Sequence, residues 1–195
     1  MRGIWLLPTR RRLVKLQAFF DAAMENGMTT PGVCLVQKDE LAELKAEYDA
    51  IRKPENWSIL GTNAEGLAGK CQEVFATVSK LDWVGLGCDD LRPQTPGWDK
   101  TLVEAVNGKN IVTCNDGQQG SLRMAGITIF SGGVLRAMGY MFAPNFWHTW
   151  ADNCWEDIGR GSGCWTYVNS VLITHEHPFT GGKLDPAKSD ETTAH

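Results

Sequence analysis

Two adjacent carboxylates, Asp89 and Asp90, follow the apolar run Trp83-Val84-Gly85-Leu86-Gly87 and Cys88. Neighbouring acids repel unless a cation or a set of donors lies between them, and oxygen ligands of this kind suit Mg²⁺ or Mn²⁺. A divalent ion held there can neutralise a diphosphate leaving group. Taken alone, the pair reads equally as a solvated turn ahead of Pro93, and for an isolated Asp-Asp that is the commoner case.

Other residues could join it. His175 and His177 flank Glu176 after the apolar run Val171-Leu172-Ile173, and alternate residues of an extended segment face the same side, so either imidazole could complete a metal shell. The competing reading is a surface turn before Pro178. Asp152 precedes a helical pattern; its carboxylate could serve as a general base or as a helix cap. His148, four residues earlier, could orient an acceptor or simply be packed. Arg10, Arg11 and Arg12 form a basic knot that could hold a diphosphate or nucleotide. Basic residues at a helix start oppose its dipole, so at least one of them needs another partner, and Arg10 is the choice for the donor. Arg92 and Arg123 are further cations for the donor cleft or the acceptor side.

The elements that must position these groups alternate. An apolar strand over residues 3–7 ends at Pro8, and residues 11–28 place Leu13, Leu16, Phe19, Phe20 and Ala23 at helical spacing before Asn26-Gly27. A strand over 33–36, an amphipathic helix over 40–51, a strand over 57–60, a helix over 64–79 and a strand over 83–87 follow. This β-α-β-α order predicts an α/β fold with a mostly parallel sheet flanked by helices, whose ligands bind beyond the carboxyl ends of the strands, where Asp89 and Asp90 stand. A turn at Pro93, Pro96 and Gly97 leads to a helix over 98–106 and a strand over 110–114. Shorter elements complete the pattern: a strand over 127–130, helices over 133–138 and 152–158, and an extended stretch over 165–173. The polar residues 186–195 read as a flexible tail.

The 195 residues, 43% of them hydrophobic, suit one domain, and a net charge of −4 lacks the basic excess of a protein that binds nucleic acid nonspecifically. Any nucleic-acid contact must therefore be local. No apolar run reaches the roughly 20 residues of a membrane span, and Pro8 and the arginines interrupt the opening too early for a signal peptide, so a cytoplasmic location is expected. Six cysteines without C-x-x-C spacing read as free thiols rather than a zinc ribbon. Eight tryptophans suit a core and the lining of a sugar cleft.

The order of these motifs resembles family 2 GT-A glycosyltransferases. Leu6-Leu7-Pro8-Thr9-Arg10 resembles the first-strand motif whose loop holds base and ribose; Asn63, Gly66, Ala68 and Lys70 resemble the helix start before the metal motif; and Trp83 through Asp90 resembles the strand with its Asp-x-Asp. Cys88 stands where many members have the first aspartate, while Asp90 matches the metal position and Asp89 the middle one. Ala151-Asp152-Asn153 resembles the Glu-Asp segment, with Ala151 in place of the glutamate.

The resemblance covers residues 1–185. It implies a nucleotide-sugar half over 1–90 and a smaller acceptor half over 91–185, in a GT-A, Rossmann-like sheet. Implied with it are a UDP-sugar donor contacted by Pro8, Thr9, Arg10, Lys70, Asp89 and Arg123, and Mn²⁺ or Mg²⁺ on Asp90 with His175 or His177. Asp152 is implied as the base of an inverting transfer, with His148 beside it and Lys183 and Asp185 closing over the donor. The run from Gly97-Trp98-Asp99 through Leu135, Gly139-Tyr140-Met141 and His148 to His175-Glu176-His177-Pro178 resembles compact bacteriophage enzymes that glycosylate hydroxymethylated pyrimidines. That implies double-stranded DNA carrying 5-hydroxymethylcytosine as acceptor and a host-cytoplasmic monomer or small homo-oligomer.

Alternatives remain open. The acceptor could be a polysaccharide, a lipid or a protein. A nucleotidyltransferase also uses acidic metal sites on α/β sheets but normally brings a glycine-rich phosphate loop, and no G-x-x-x-x-G-K-[ST] occurs here. A carbohydrate-binding module would keep the tryptophans without needing Asp90, Asp152 and His175.

Overall fold

The computed structural model describes residues 1–117, 126–143 and 151–176, with side chains in the last stretch from Asn153 on. Strand β1 (Gly3–Pro8) sends Trp5 and Leu7 to one face of the sheet and Leu6 to the other, as the two-residue period of a strand requires. β2 (Gly32–Gln37) does the same with Cys34 and Val36 against Val33 and Leu35. A sheet apolar on both faces must be covered on both. On the Trp5 face lie α1 (Leu13–Glu25), through Leu16, Phe19, Phe20 and Ala23, and α5 (Trp98–Glu104), through Trp98 and Leu102. On the Leu6 face lie α4 (Gly66–Val78), α6 (Gly132–Met138) and α7 (Ala151–Gly161), which contribute Cys71, Leu135 and Trp155. Met141 and Phe142, expected in the acceptor half, are buried in this second core.

The other strands are β3 (Trp57–Thr62), β4 (Trp83–Leu86), β5 (Leu91–Pro93), β6 (Ile111–Asn115), β7 (Thr128–Ser131) and β8 (Trp165–His175). The eight strands form a sheet in the order β3-β2-β1-β4-β7-β6-β8-β5. Parallel pairing joins β3, β2, β1 and β4, and also β6 to β8. β7 runs antiparallel to β4 and β6, and β5 antiparallel to β8. The mostly parallel α/β sheet expected from the alternation is present, and its antiparallel strands all follow Asp90. Among the described residues no helix is long and apolar enough to cross a membrane.

Three tryptophans sit directly across the strand pairing from glycines: Trp83 opposite Gly3, Trp5 opposite Gly85, and Trp57 opposite Gly32. A Cβ on Gly85 would lie 2.1 Å from the Trp5 ring, and one on Gly3 2.0 Å from that of Trp83. The absent side chain is the indole's seat. Gly85→Ala is therefore expected to destabilise the fold by roughly 1–3 kcal/mol, the usual cost of overpacking, visible as a lower urea midpoint at unchanged slope.

The structure departs from the sequence expectations in three places. The helix expected over 11–28 is α1 (Leu13–Glu25), because Arg11 has a φ of 48° and Arg12 is not yet helical. The helix expected over 40–51 is two, α2 (Lys38–Glu43) and α3 (Lys45–Asp49), broken at Leu44. In one straight helix residues eight apart are separated by about 12 Å; the break lets the Tyr48 hydroxyl donate to buried Glu40. Finally, Leu91–Pro93, expected as part of a turn, is strand β5.

The cysteines are free, as expected. Burial pushes the Cys71 thiol up to about 12 and raises those of Cys34 and Cys114 as well. Only thiolates react readily. A thiol reagent at neutral pH should thus titrate at most three of the six cysteines in the folded protein and all six in denaturant.

Candidate metal centre

β1, β2 and β3 progress to one side of the sheet, whereas β4 lies on the other side of β1. Loops leaving the carboxyl ends of two strands at such a reversal diverge and open a crevice, the usual ligand position of an open α/β sheet. The two loops here carry Thr9 to Arg12 and Gly87 to Asp90.

Asp89 and Asp90 are 1% and 2% exposed. Their mutual repulsion is met by Arg12, whose guanidinium straddles them: Nη1 lies 2.6 Å from Asp89 Oδ1 and Nη2 2.9 Å from Asp90 Oδ2. The Thr9 hydroxyl donates to Asp89 Oδ2 at 2.6 Å. Burial is the largest influence on Asp89 and pushes its carboxyl up to about 6 in spite of both partners. Burial is also the largest single influence on Asp90 and acts upward, but the hydrogen bond and charge of His175, joined by those of Arg12, outweigh it and hold this carboxyl well below the usual range.

His175 reaches the acids through β5. Leu91 pairs with His175 across β5 and β8, and the Glu176 N–H donates to the Asp90 carbonyl at 2.9 Å. His175 Nε2 consequently lies 3.2 Å from Asp90 Oδ1. Arg92, expected to face the donor or the acceptor, fastens this junction: Nη1 donates to the Asp89 carbonyl at 2.9 Å and Nη2 to Glu176 at 2.7 Å.

The sulfur of Cys88, a carboxylate oxygen of Asp90 and a ring nitrogen of His175 lie within 4.8 Å of one another. Bonds of about 2.0–2.3 Å put two donors of one tetrahedral ion roughly 3.3–3.8 Å apart. The three groups could share a single divalent ion once their side chains close by about 1 Å.

Beneath the acids the first loop is held from below. The Lys70 ammonium, buried at the start of α4, donates to the Thr9 carbonyl at 2.6 Å, and burial lowers its pKa. Glu40 accepts from the Arg11 N–H at 2.5 Å, which supports the strained Arg11 backbone. Arg11 itself pairs with Glu43 at the surface.

No family model and no curated protein sequence matches the chain. Solved structures do match it. It superposes on the mannosyltransferase PcManGT from Pyrobaculum calidifontis, solved with GDP-Man and Mn²⁺, with a TM-score of 0.67 at 11% identity, covering 89% of this chain and 56% of that one. Glucosyl-3-phosphoglycerate synthase from Mycobacterium tuberculosis, solved with Mn²⁺, UDP and glucosyl-3-phosphoglycerate, gives 0.59 at 14%, covering 97% and 75%. HddC from Yersinia pseudotuberculosis gives 0.60 at 9%, covering 98% and 99%. The fold is of the GT-A type. The chain spans little more than half the length of PcManGT.

On this GT-A framework the residues singled out from the sequence fall into three groups. Asp89, Asp90 and His175 converge. Pro8, Thr9 and Lys70, expected at the donor, are buried beside or beneath the acids, with the Thr9 hydroxyl turned to Asp89 and the Lys70 ammonium to Thr9; Arg10 is exposed at the crevice loop. Arg123, His148, His177, Lys183 and Asp185 lie outside the described residues, as does the side chain of Asp152, whose backbone falls in the first turn of α7. Sequence reasoning missed Arg12 as the partner of the acid pair and Cys88 as a donor. The helix-dipole argument did signal that one arginine of the knot needed another partner, but spacing could not say which.

Proposed function

We propose that the chain is a metal-dependent glycosyltransferase that moves a sugar from a UDP-sugar to an acceptor hydroxyl. The observation that carries this reading is the approach of Asp90 and His175, 3.2 Å apart, at the β1/β4 crevice of a GT-A sheet. The ligands of the solved neighbours, GDP-Man or UDP with Mn²⁺, support a nucleotide-sugar donor.

Asp90 and His175, or His177 in its place, would hold the divalent ion, Mn²⁺ or Mg²⁺ in the solved neighbours, which when bound supplies positive charge to the diphosphate leaving group. Arg12 and Thr9 keep Asp89 oriented at the donor side, where Pro8, Arg10 and Arg123 complete the wall and Lys70 holds the Thr9 carbonyl from below. Asp152 takes the proton of the acceptor hydroxyl as its oxygen attacks the anomeric carbon. The bond to the diphosphate breaks with its electron pair on the departing nucleotide, and the configuration inverts. His148 orients the acceptor. The acceptor we propose is the hydroxymethyl group of 5-hydroxymethylcytosine in DNA, supported by the motif resemblance; at a net charge of −4 the DNA contact must be confined to a basic rim.

The test incubates the protein and Mn²⁺ with a panel of UDP- and GDP-sugars, with and without 5-hydroxymethylcytosine DNA, and follows nucleotide release and DNA mass. UDP release with a hexose-sized mass gain on DNA is expected. Release without that gain removes the DNA acceptor alone. Failure to bind or turn over any nucleotide sugar removes the reading.

A further inference from the structure

Cys88 brings sulfur into a crevice otherwise lined with carboxylates. Its thiol donates to the Gly126 carbonyl at 3.3 Å, and its sulfur belongs to the same 4.8 Å cluster as Asp90 and His175. Gly126 borders both the sulfur and the imidazole. A Cβ on Gly126 would lie 3.4 Å from both Cys88 Sγ and His175 Cε1, and 3.2 Å from Leu91 Cδ2. Thiolate, carboxylate and imidazole together are the donors of a zinc-class ion, whereas Mg²⁺ takes oxygen and keeps its waters.

We propose that Cys88 is a direct thiolate ligand, and that Cys88, Asp90 and His175 form a three-residue centre that selects zinc-class ions such as Zn²⁺ and Co²⁺ over Mg²⁺. This rests on reading the crevice as a metal site. The thiol proton passes to solvent as the sulfur–metal bond forms. The two oxygens of Asp90 are already divided, with Oδ2 held by Arg12 and Oδ1 facing His175. Three protein ligands leave coordination positions for oxygens of a substrate, as in catalytic zinc sites. The first position of the acidic motif thus sets which metal is taken.

The experiment titrates Co²⁺ alone into chelator-treated protein and records the sulfur-to-cobalt charge-transfer band in the near ultraviolet. Wild type should show the band; Cys88→Ser and Cys88→Asp should lack it. By competition with a chromophoric chelator, Cys88→Ser should lose about 100-fold in Zn²⁺ affinity, the upper range for disturbing even a supporting residue of a metal site, while its Mg²⁺ affinity stays unchanged. In unsubstituted protein, Zn²⁺ should shield Cys88 from iodoacetamide in a peptide map, a readout that does not depend on a variant folding. Co²⁺ binding without the band, a band that survives in Cys88→Ser, or no shielding of Cys88 would overturn the proposal and leave a carboxylate–imidazole centre standing. Absence of any Co²⁺ binding would remove the metal site itself.

Discussion

On the proposed reading, Asp90→Ala should abolish metal binding at the crevice and lower nucleotide-sugar turnover by about 10³-fold, the scale of removing one preorganised group that stabilises developing charge. Asp90 touches both Arg12 and His175, so its loss would remove a proposed ligand and the group that orients a second. The fold should survive, because Arg12 keeps its 2.6 Å contact with Asp89 and β5 keeps its pairing with β8. Calorimetric titration with Mn²⁺ and Zn²⁺, run beside a UDP-release assay and near-ultraviolet circular dichroism, separates these effects. Undiminished turnover in a folded Asp90→Ala protein would mean that the chemistry lies elsewhere.

The largest effect on stability is expected far from that crevice, at Asp99. This carboxylate is fully buried in the first turn of α5, and its Oδ2 accepts from the Thr29 N–H at 2.7 Å, the Thr30 N–H at 2.8 Å and the Thr30 hydroxyl at 2.9 Å. The same loop then serves two tryptophans: the Thr30 hydroxyl accepts from Trp5 Nε1 at 2.8 Å, and the Thr30 carbonyl accepts from Trp57 Nε1 at 3.0 Å. Alanine would remove three hydrogen bonds to a carboxylate from the half-buried Thr29–Thr30 loop, each worth about 1.5–3 kcal/mol to a charged group before relaxation and rehydration. Asp99→Ala should therefore cost about 3–5 kcal/mol, and the melting temperature should fall by roughly 10 °C. Turnover per folded molecule should not change, since the hydrogen-bond partners of Asp99 among the described residues, Thr29 and Thr30, lie outside the crevice. A loss below about 1 kcal/mol would show that water or a shifted loop replaces the carboxylate. In the sequence Asp99 belongs to the Gly97-Trp98-Asp99 motif; in the structure it is the knot that ties α5 to the loop ahead of β2.

The acid pair and the thiol also constrain one another. With Arg12 across both carboxylates, much of the repulsion is already neutralised before any ion arrives. What an ion would add on the proposed reading is convergence of Asp90 and His175 with the sulfur of Cys88, which Gly126 borders.

Sequence by itself determined the α/β alternation and the position of the acid pair. Both depend on local signals: apolar runs of strand length, helical spacing such as Leu16, Phe19, Phe20 and Ala23, and glycine or proline punctuation between them. Asp89 and Asp90 follow a buried strand after only Gly87 and Cys88, so their place at its carboxyl end required no knowledge of the sheet order.

Tertiary structure alone decided the rest. The choice of Arg12 depends on contacts across 78 residues of chain, and the approach of His175 to Asp90 spans 85. The second contact further requires β5, a strand of three residues whose existence depends on β8 being there to pair with it. Lys70 has the composition of a donor contact, yet burial under Thr9 turned its ammonium to a backbone carbonyl, and the break at Leu44 exists because Glu40 and Tyr48 meet inside the protein. Periodicity and spacing report what a segment can form with itself; which charges end up neutralising one another depends on the partners that long-range packing brings within about 3 Å.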